Sequence, residues 1–180
     1  FSTSSGGGTF VSNDGFLKTA FYTFKQANSY LYTLADSSIN SINNVTTSGS
    51  PTTTTFNNVN VDPQVGTPWR DSVSAYGRAL SIGNSSGFYL MYGGAAEKVS
   101  TALDGVFASA TLPSTGNGVP SAVATIFGIK VIMFLMTVVD PFTNALTPKL
   151  LIFEPESKKW FVGSQEVTLT WIGTQEFQSV

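Results

Sequence analysis

The chain has 180 residues, about one domain's worth and enough to bury a sizeable core. Charged residues make up 11% of it, far below the roughly one quarter usual in globular domains, and Ser, Thr, Asn and Gly fill the gap. Net charge is -2 with no cluster of Lys or Arg beyond Lys158-Lys159, which excludes the phosphate neutralisation that nucleic-acid binding requires; His and Cys are both absent, which removes Ser-His-Asp and Cys-His nucleophiles, structural zinc sites and disulfides.

The chain opens at Phe1 rather than Met, as a mature product or an excised domain would. Gly6-Gly7-Gly8 within "STSSGGGTF" reads as a flexible lead-in over residues 1–10, with a single β domain over 11–180. The aromatic stretch from Gly15 to Ala35 places Phe16, Ala20 and Phe24 at helical spacing but Tyr30, Tyr32 and Leu34 at strand spacing, and two strands are the favoured expectation. Residues Asp36 to Pro68 are dominated by Ser, Thr and Asn. They read as a long surface loop leading into a short edge strand near Phe56 to Val61.

Val73 to Ile82 and Phe88 to Tyr92 flank "GNSSG", a hairpin signal. In "AAEKVSTALDGVF", Ala96, Val99, Leu103 and Phe107 share one helical face, so this segment is the one expected helix. "LLIFEPESKKWFV" predicts a second hairpin turning near Glu156 to Lys159, and "EVTLTWIG" a closing strand.

The least polar stretch, Val123 to Val139, is rich in β-branched residues and carries Lys130 near its middle. A membrane helix would be longer, Leu-rich and free of central charge, so this stretch predicts a strand and no membrane insertion. One face carries Lys130, Ile132, Phe134 and Met136; the other carries Phe127, Ile129, Val131, Met133 and Leu135. A strand apolar on both faces lies either between two layers of its own domain or against another subunit. The second alternative makes Lys130, Ile132, Phe134 and Met136 candidate interface residues. Eight or nine short strands, one helix and long polar loops predict an all-β fold, an antiparallel sandwich or jelly-roll-like barrel.

Few features carry chemistry. Acid-proline pairs at Asp62, Asp140 and Glu154 could hold calcium if strand ends converged, although solvated acids explain them as well, and no cofactor is expected. Paired carboxylates among Asp62, Asp71, Asp140 and Glu154 could serve a glycosidase, but nothing singles out two of them. "TPWRDS" puts Trp69, Arg70 and Asp71 in a loop, residue types that favour recognition; with Asn84 of the "GNSSG" turn they are the candidate ligand-binding set. The competing reading folds Trp69 back onto the core. Two sequons, Asn44-Val45-Thr46 and Asn84-Ser85-Ser86, are no more than chance supplies in a chain this rich in Ser and Thr.

The lead-in "STSSGGG", the polar "SGSPTTTTFNN", the scarcity of charge, the apolar strand and the closing "KKWFVGSQEVTLTWIGTQEFQSV" together resemble the protruding domains of capsid proteins from small non-enveloped RNA viruses, of the tombus-like, noda-like and Sinai virus-like groups. That resemblance implies a β spike on the virion surface that self-associates as a dimer or trimer and contacts a host receptor or glycan. It implies no enzyme, and it leaves genome contact to another segment. Two other extracellular readings compete: a carbohydrate-binding module stacking sugars on Trp69, Tyr76 or Tyr89, and an adhesin-type domain completed by a donated strand.

Overall fold

A computed structural model describes residues 21–50, 53–108, 110–112, 118–139 and 143–163. Strands account for 61% of the structure and helix for 6%, arranged as three antiparallel sheets. None closes into a barrel, so the fold is an all-β sandwich. The first sheet is a meander of β1 (Thr23–Ala27), β2 (Tyr30–Leu34), β3 (Ile39–Ser48) and β4 (Thr53–Asp62). The second contains β5 (Val73–Tyr76), β6 (Ala79–Asn84), β7 (Gly87–Met91) and β8 (Glu97–Lys98). The third contains β9 (Ser121–Ile126), β10 (Ile129–Val139), β11 (Leu146–Glu154) and β12 (Lys159–Gly163).

The second sheet lies between the other two, and the two-residue period of its strands shows why. Along β6, Ala79 enters a cluster shared with the third sheet, while Leu80 and Ile82 enter one shared with the first. Along β7, Phe88 and Leu90 go to the third sheet, Met91 to the first. Successive side chains point to opposite faces, so a strand needs apolar residues in both registers to serve two cores. Ile132, Phe134 and Met136 of β10, with Leu151 and Phe153 of β11, complete the larger core. Tyr32, Leu34 and Ile39 complete the smaller one.

Four segments differ from their sequence reading, the first being Val73 to Ile82, which is not a single hairpin arm but two antiparallel strands, β5 and β6, turning at Gly77 (φ 59°). The run from Val123 to Val139 is two strands, because Phe127 and Gly128 both take positive φ (50° and 81°) and reverse the chain as a two-residue turn. The Thr- and Asn-rich region is a long hairpin, with β3 and β4 ten residues each. Its polar side chains pair across the strands: Asn60 Nδ2 donates to Asn40 Oδ1 (2.9 Å), Asn40 Nδ2 donates to Asn58 Oδ1 (3.1 Å), and the Thr46 and Thr55 hydroxyls meet at 2.8 Å. Threonine is β-branched and fits a pleated surface even where it is solvated, so polarity alone misleads here. The expected helix is reduced to a 3-10 turn at Thr101–Leu103 and a five-residue helix, α1 (Asp104–Ala108). Its first half instead supplies the edge strand β8, with Ala96 and Val99 packed against different cores.

The hairpins at Ser85-Ser86 and at residues 155–158 form as expected. The Gly-rich lead-in, Asp140 and the closing "EVTLTWIG" segment lie outside the described residues. Among the described residues no helix is long and apolar enough to cross a membrane.

Candidate functional site

The residues singled out from "TPWRDS" are largely committed to the scaffold. Trp69 is 0% exposed and sits in the larger core. Its backbone N–H donates to Thr67 Oγ1 (3.1 Å), and that hydroxyl donates to the Gly83 carbonyl (2.6 Å). The Ser72 hydroxyl donates to the Val119 carbonyl (2.6 Å) and accepts from the Val119 N–H (2.9 Å). The loop is therefore clasped to β6 and to the lead into β9, with the indole inward. Arg70 is exposed and approaches Asp71 at 3.4 Å, a solvated pair of little energetic weight. Asn84 spends its amide on structure: Nδ2 donates to the Gly66 carbonyl and Oδ1 accepts from the Ser86 N–H, both at 2.9 Å. Arg70, Asp71 and Asn84 do not converge with Trp69 on an open surface, because the ring that would anchor such a site is buried.

The face offered as an interface is also internal. Ile132, Phe134 and Met136 are each 1% exposed and face Phe88 and Leu90 of the middle sheet. These side chains are unavailable to another subunit, since the chain's own second layer covers them. Lys130 alone of the four is exposed, and its Nζ lies 5.2 Å from the Tyr76 ring centroid. Tyr76 and Tyr89 are half-buried; the Tyr76 hydroxyl donates to the Lys130 carbonyl (3.4 Å), and Tyr89 packs on the smaller core.

The two acid-proline positions among the described residues, Asp62 and Glu154, serve turns. Asp62 is buried and its carboxylate accepts three backbone N–H bonds at 2.9 Å, from Gln64, Val65 and Ala96. Glu154 accepts from the Ser157 hydroxyl within the β11–β12 turn. Among the described residues no three carboxylates group as a metal site would need.

An open concave surface with polar groups lies elsewhere, between the first sheet and the loop that leaves the middle one. On β2 the buried face runs outward from Leu34 and Tyr32 to Tyr30, which is 39% exposed. The register places Tyr32 beside Ser41 and Ser41 beside Val59, so these side chains share that face. Asn43 follows Ser41 by one strand period and reaches the uncovered part. Opposite them the Gly93-Gly94 loop, leaving β7, closes a groove of about 370 Å³. Gly93 takes a positive φ (85°), which favours glycine, and a Cβ there would make only ordinary contact with the Tyr32 hydroxyl at 3.9 Å.

None of the residues lining the groove is charged. Tyr30 and Tyr32 meet edge to face with centroids 6.2 Å apart. Burial, and secondarily Tyr30, pushes the Tyr32 hydroxyl pKa up, so it remains a neutral donor and acceptor across the physiological range. The Asn58–Asn40–Asn60 ladder lies on the opposite face of the same strands and ties β3 to β4 behind the groove. Rings, amides and hydroxyls without ions suit a neutral ligand that presents C–H faces and hydroxyl groups. The sequence hides this site: Tyr30, Tyr32, Ser41 and Asn43 look like ordinary strand alternation, and the only pointer is the Gly93-Gly94 pair beside a tyrosine. No family model matches the chain, and no curated protein matches it.

Proposed function

We propose that the chain is a non-enzymatic attachment domain that binds a neutral saccharide in the groove formed by Tyr30, Tyr32, Ser41, Asn43 and the Gly93-Gly94 loop. The observation that supports this reading is the uncharged, half-open groove lined by two tyrosine rings, the Ser41 hydroxyl and the Asn43 amide. A pyranose offers an apolar face for the exposed Tyr30 ring and equatorial hydroxyls for amide and phenol partners. Binding at such an open site is weak per copy and gains strength from repetition on one particle.

The resemblance to capsid protruding domains supplies a setting for that multivalency: many copies displayed on a virion surface, each touching a host glycan. A carbohydrate-binding module would use the same groove as a single copy. The two differ in self-association and in whether the preferred glycan is a surface oligosaccharide or a polysaccharide. An array of neutral and acidic glycans, probed with a multivalent form of the domain, tests the proposal. Retention on a set of neutral glycans is expected; retention on acidic glycans alone overturns it.

A further inference from the structure

Between the middle and third sheets, above the part of the larger core that holds Leu90 and Phe153, a cleft of about 220 Å³ opens to solvent. Its floor is apolar and offers no spare hydrogen-bonding group at Val99. The Val99 N–H donates to the Phe88 carbonyl, and its carbonyl accepts from Trp160 Nε1, both at 2.9 Å. The Tyr92 ring stands at the rim, 65% exposed. Glu97 pairs with Leu90 in register, so its side chain rises from the same face of the middle sheet. Lys158, in the β11–β12 turn, lines the cleft from the third sheet. Its φ of +55° is one that Gly or Asn adopts more readily, so a long cationic side chain is kept there against local preference. The charges around the cleft balance. Lys98 is spent on Asp104 at 2.7 Å, and Glu154 accepts from the Ser157 hydroxyl within its own turn, while Glu156 and Lys159 lie outside the lining. That leaves one carboxylate, Glu97, and one ammonium, Lys158, neither of them ion-paired with another described residue. A purely anionic molecule would meet Glu97 and a purely cationic one Lys158, so the cleft suits a molecule that carries both signs.

We propose that this cleft binds a phosphocholine group, with the quaternary ammonium beside Tyr92 and Glu97 and the phosphate at Lys158. The apolar floor decides which cation fits. A primary ammonium brings three N–H donors, and with one unpaired carboxylate in the cleft the others would lose water without gaining a partner. A trimethylammonium has no donor to satisfy. It lays methyl groups on Leu90 and Val99 and is attracted to the face of the Tyr92 ring. Phosphate oxygens accept from the Lys158 ammonium as charge-assisted bonds. The cleft shares no described residue with the saccharide groove, and its occupancy does not depend on that groove.

Isothermal titration calorimetry of the chain with glycerophosphocholine, a soluble carrier of the group with no net charge, tests the proposal. Saturable binding is expected, roughly tenfold tighter than that of glycerophosphoethanolamine, choline or glycerol 3-phosphate. Tyr92→Ala and Glu97→Gln should each weaken it roughly tenfold at unchanged Tm. Lys158→Gly should weaken it comparably while Tm holds or rises, because glycine relieves the positive φ. That combination separates a ligand contact from a structural role. Co-sedimentation with phosphatidylcholine vesicles, released by glycerophosphocholine, would assign the group to a lipid headgroup. Binding of the free compound without co-sedimentation would assign it to a soluble or glycan-linked carrier, and either result supports the site. No saturation with glycerophosphocholine, equal binding of the ethanolamine analogue, or undiminished affinity in Tyr92→Ala or Lys158→Gly would each overturn it.

Discussion

The Phe88 ring of the middle sheet stacks on the Phe134 ring of the third, with centroids 3.8 Å apart and planes 20° from parallel. Phe107 meets Phe88 edge to face at 4.9 Å, and Trp160 stacks on Phe88 and Phe153 at 5.5 and 4.7 Å. This aromatic stack is the contact that sets the two sheets' separation. Phe134→Ala should therefore destabilise the fold by about 3–5 kcal/mol, and Phe134→Leu by clearly less. Urea unfolding measures both. A double-mutant cycle with Phe88→Leu should show coupling of about 0.5–1.5 kcal/mol.

Gly118 lies against Trp69. A Cβ added there would collide with the Trp69 Cβ, and the backbone already sits at φ +71°. Gly118→Ala should cost about 1–3 kcal/mol or more and move tryptophan emission to the red as the indole is displaced. Gly128→Ala, also at positive φ but with nothing within 4 Å, should cost only about 1 kcal/mol and leave the emission unchanged.

The sheets and hairpins that can be read from the sequence are those in which periodicity and turn chemistry agree. "GNSSG" between β-rich runs specifies its hairpin locally, as does the turn after Glu154. The strong apolarity around Lys130 correctly indicates burial on a strand, yet it conceals a turn, because a phenylalanine at positive φ breaks the preference that would have marked it. The Thr- and Asn-rich arms look like loop because their ladder is built from cross-strand side-chain pairs, a relation between distant positions. Trp69 illustrates the ambiguity of recognition-prone residue types: the same ring area that suits a ligand suits a core. The groove is assembled from three strands and the Gly93-Gly94 loop, which lies beyond β5, β6 and β7 in the chain, and neither its shape nor its lack of charge can be read from any one segment.

Asp62 ties the end of β4 to the segment before β8 through three N–H donors. Asp62→Ala leaves those donors without their partner and should cost on the order of 3 kcal/mol. Asp62→Asn can keep the Gln64 and Val65 bonds on its oxygen while its NH₂ faces the Ala96 N–H. Hydrogen exchange should then accelerate at Ala96 and stay slow at Val65.

Alkaline pH should weaken the fold through Tyr32. Burial raises its pKa above the ordinary 10.0, so the folded state keeps a proton that the unfolded chain has released. The unfolded state then binds fewer protons, and stability falls as pH rises. The contribution is fully present below about pH 10 and is lost as pH climbs through the folded-state value. Tm measured between pH 8.5 and 11 should decline, and Tyr32→Phe should flatten that decline, which separates Tyr32 from the lysines that titrate nearby.

The most direct test of the saccharide groove is an NMR titration of the labelled domain with a neutral oligosaccharide retained on the array, repeated with Tyr30→Ala. The account predicts shifts confined to the amides of Tyr30, Asn43, Gly93 and Gly94, and at least a tenfold loss of affinity in the variant at unchanged Tm, as removal of a stacking ring entails. Shifts centred on Arg70 and Asn84, or affinity undiminished in Tyr30→Ala, would contradict it.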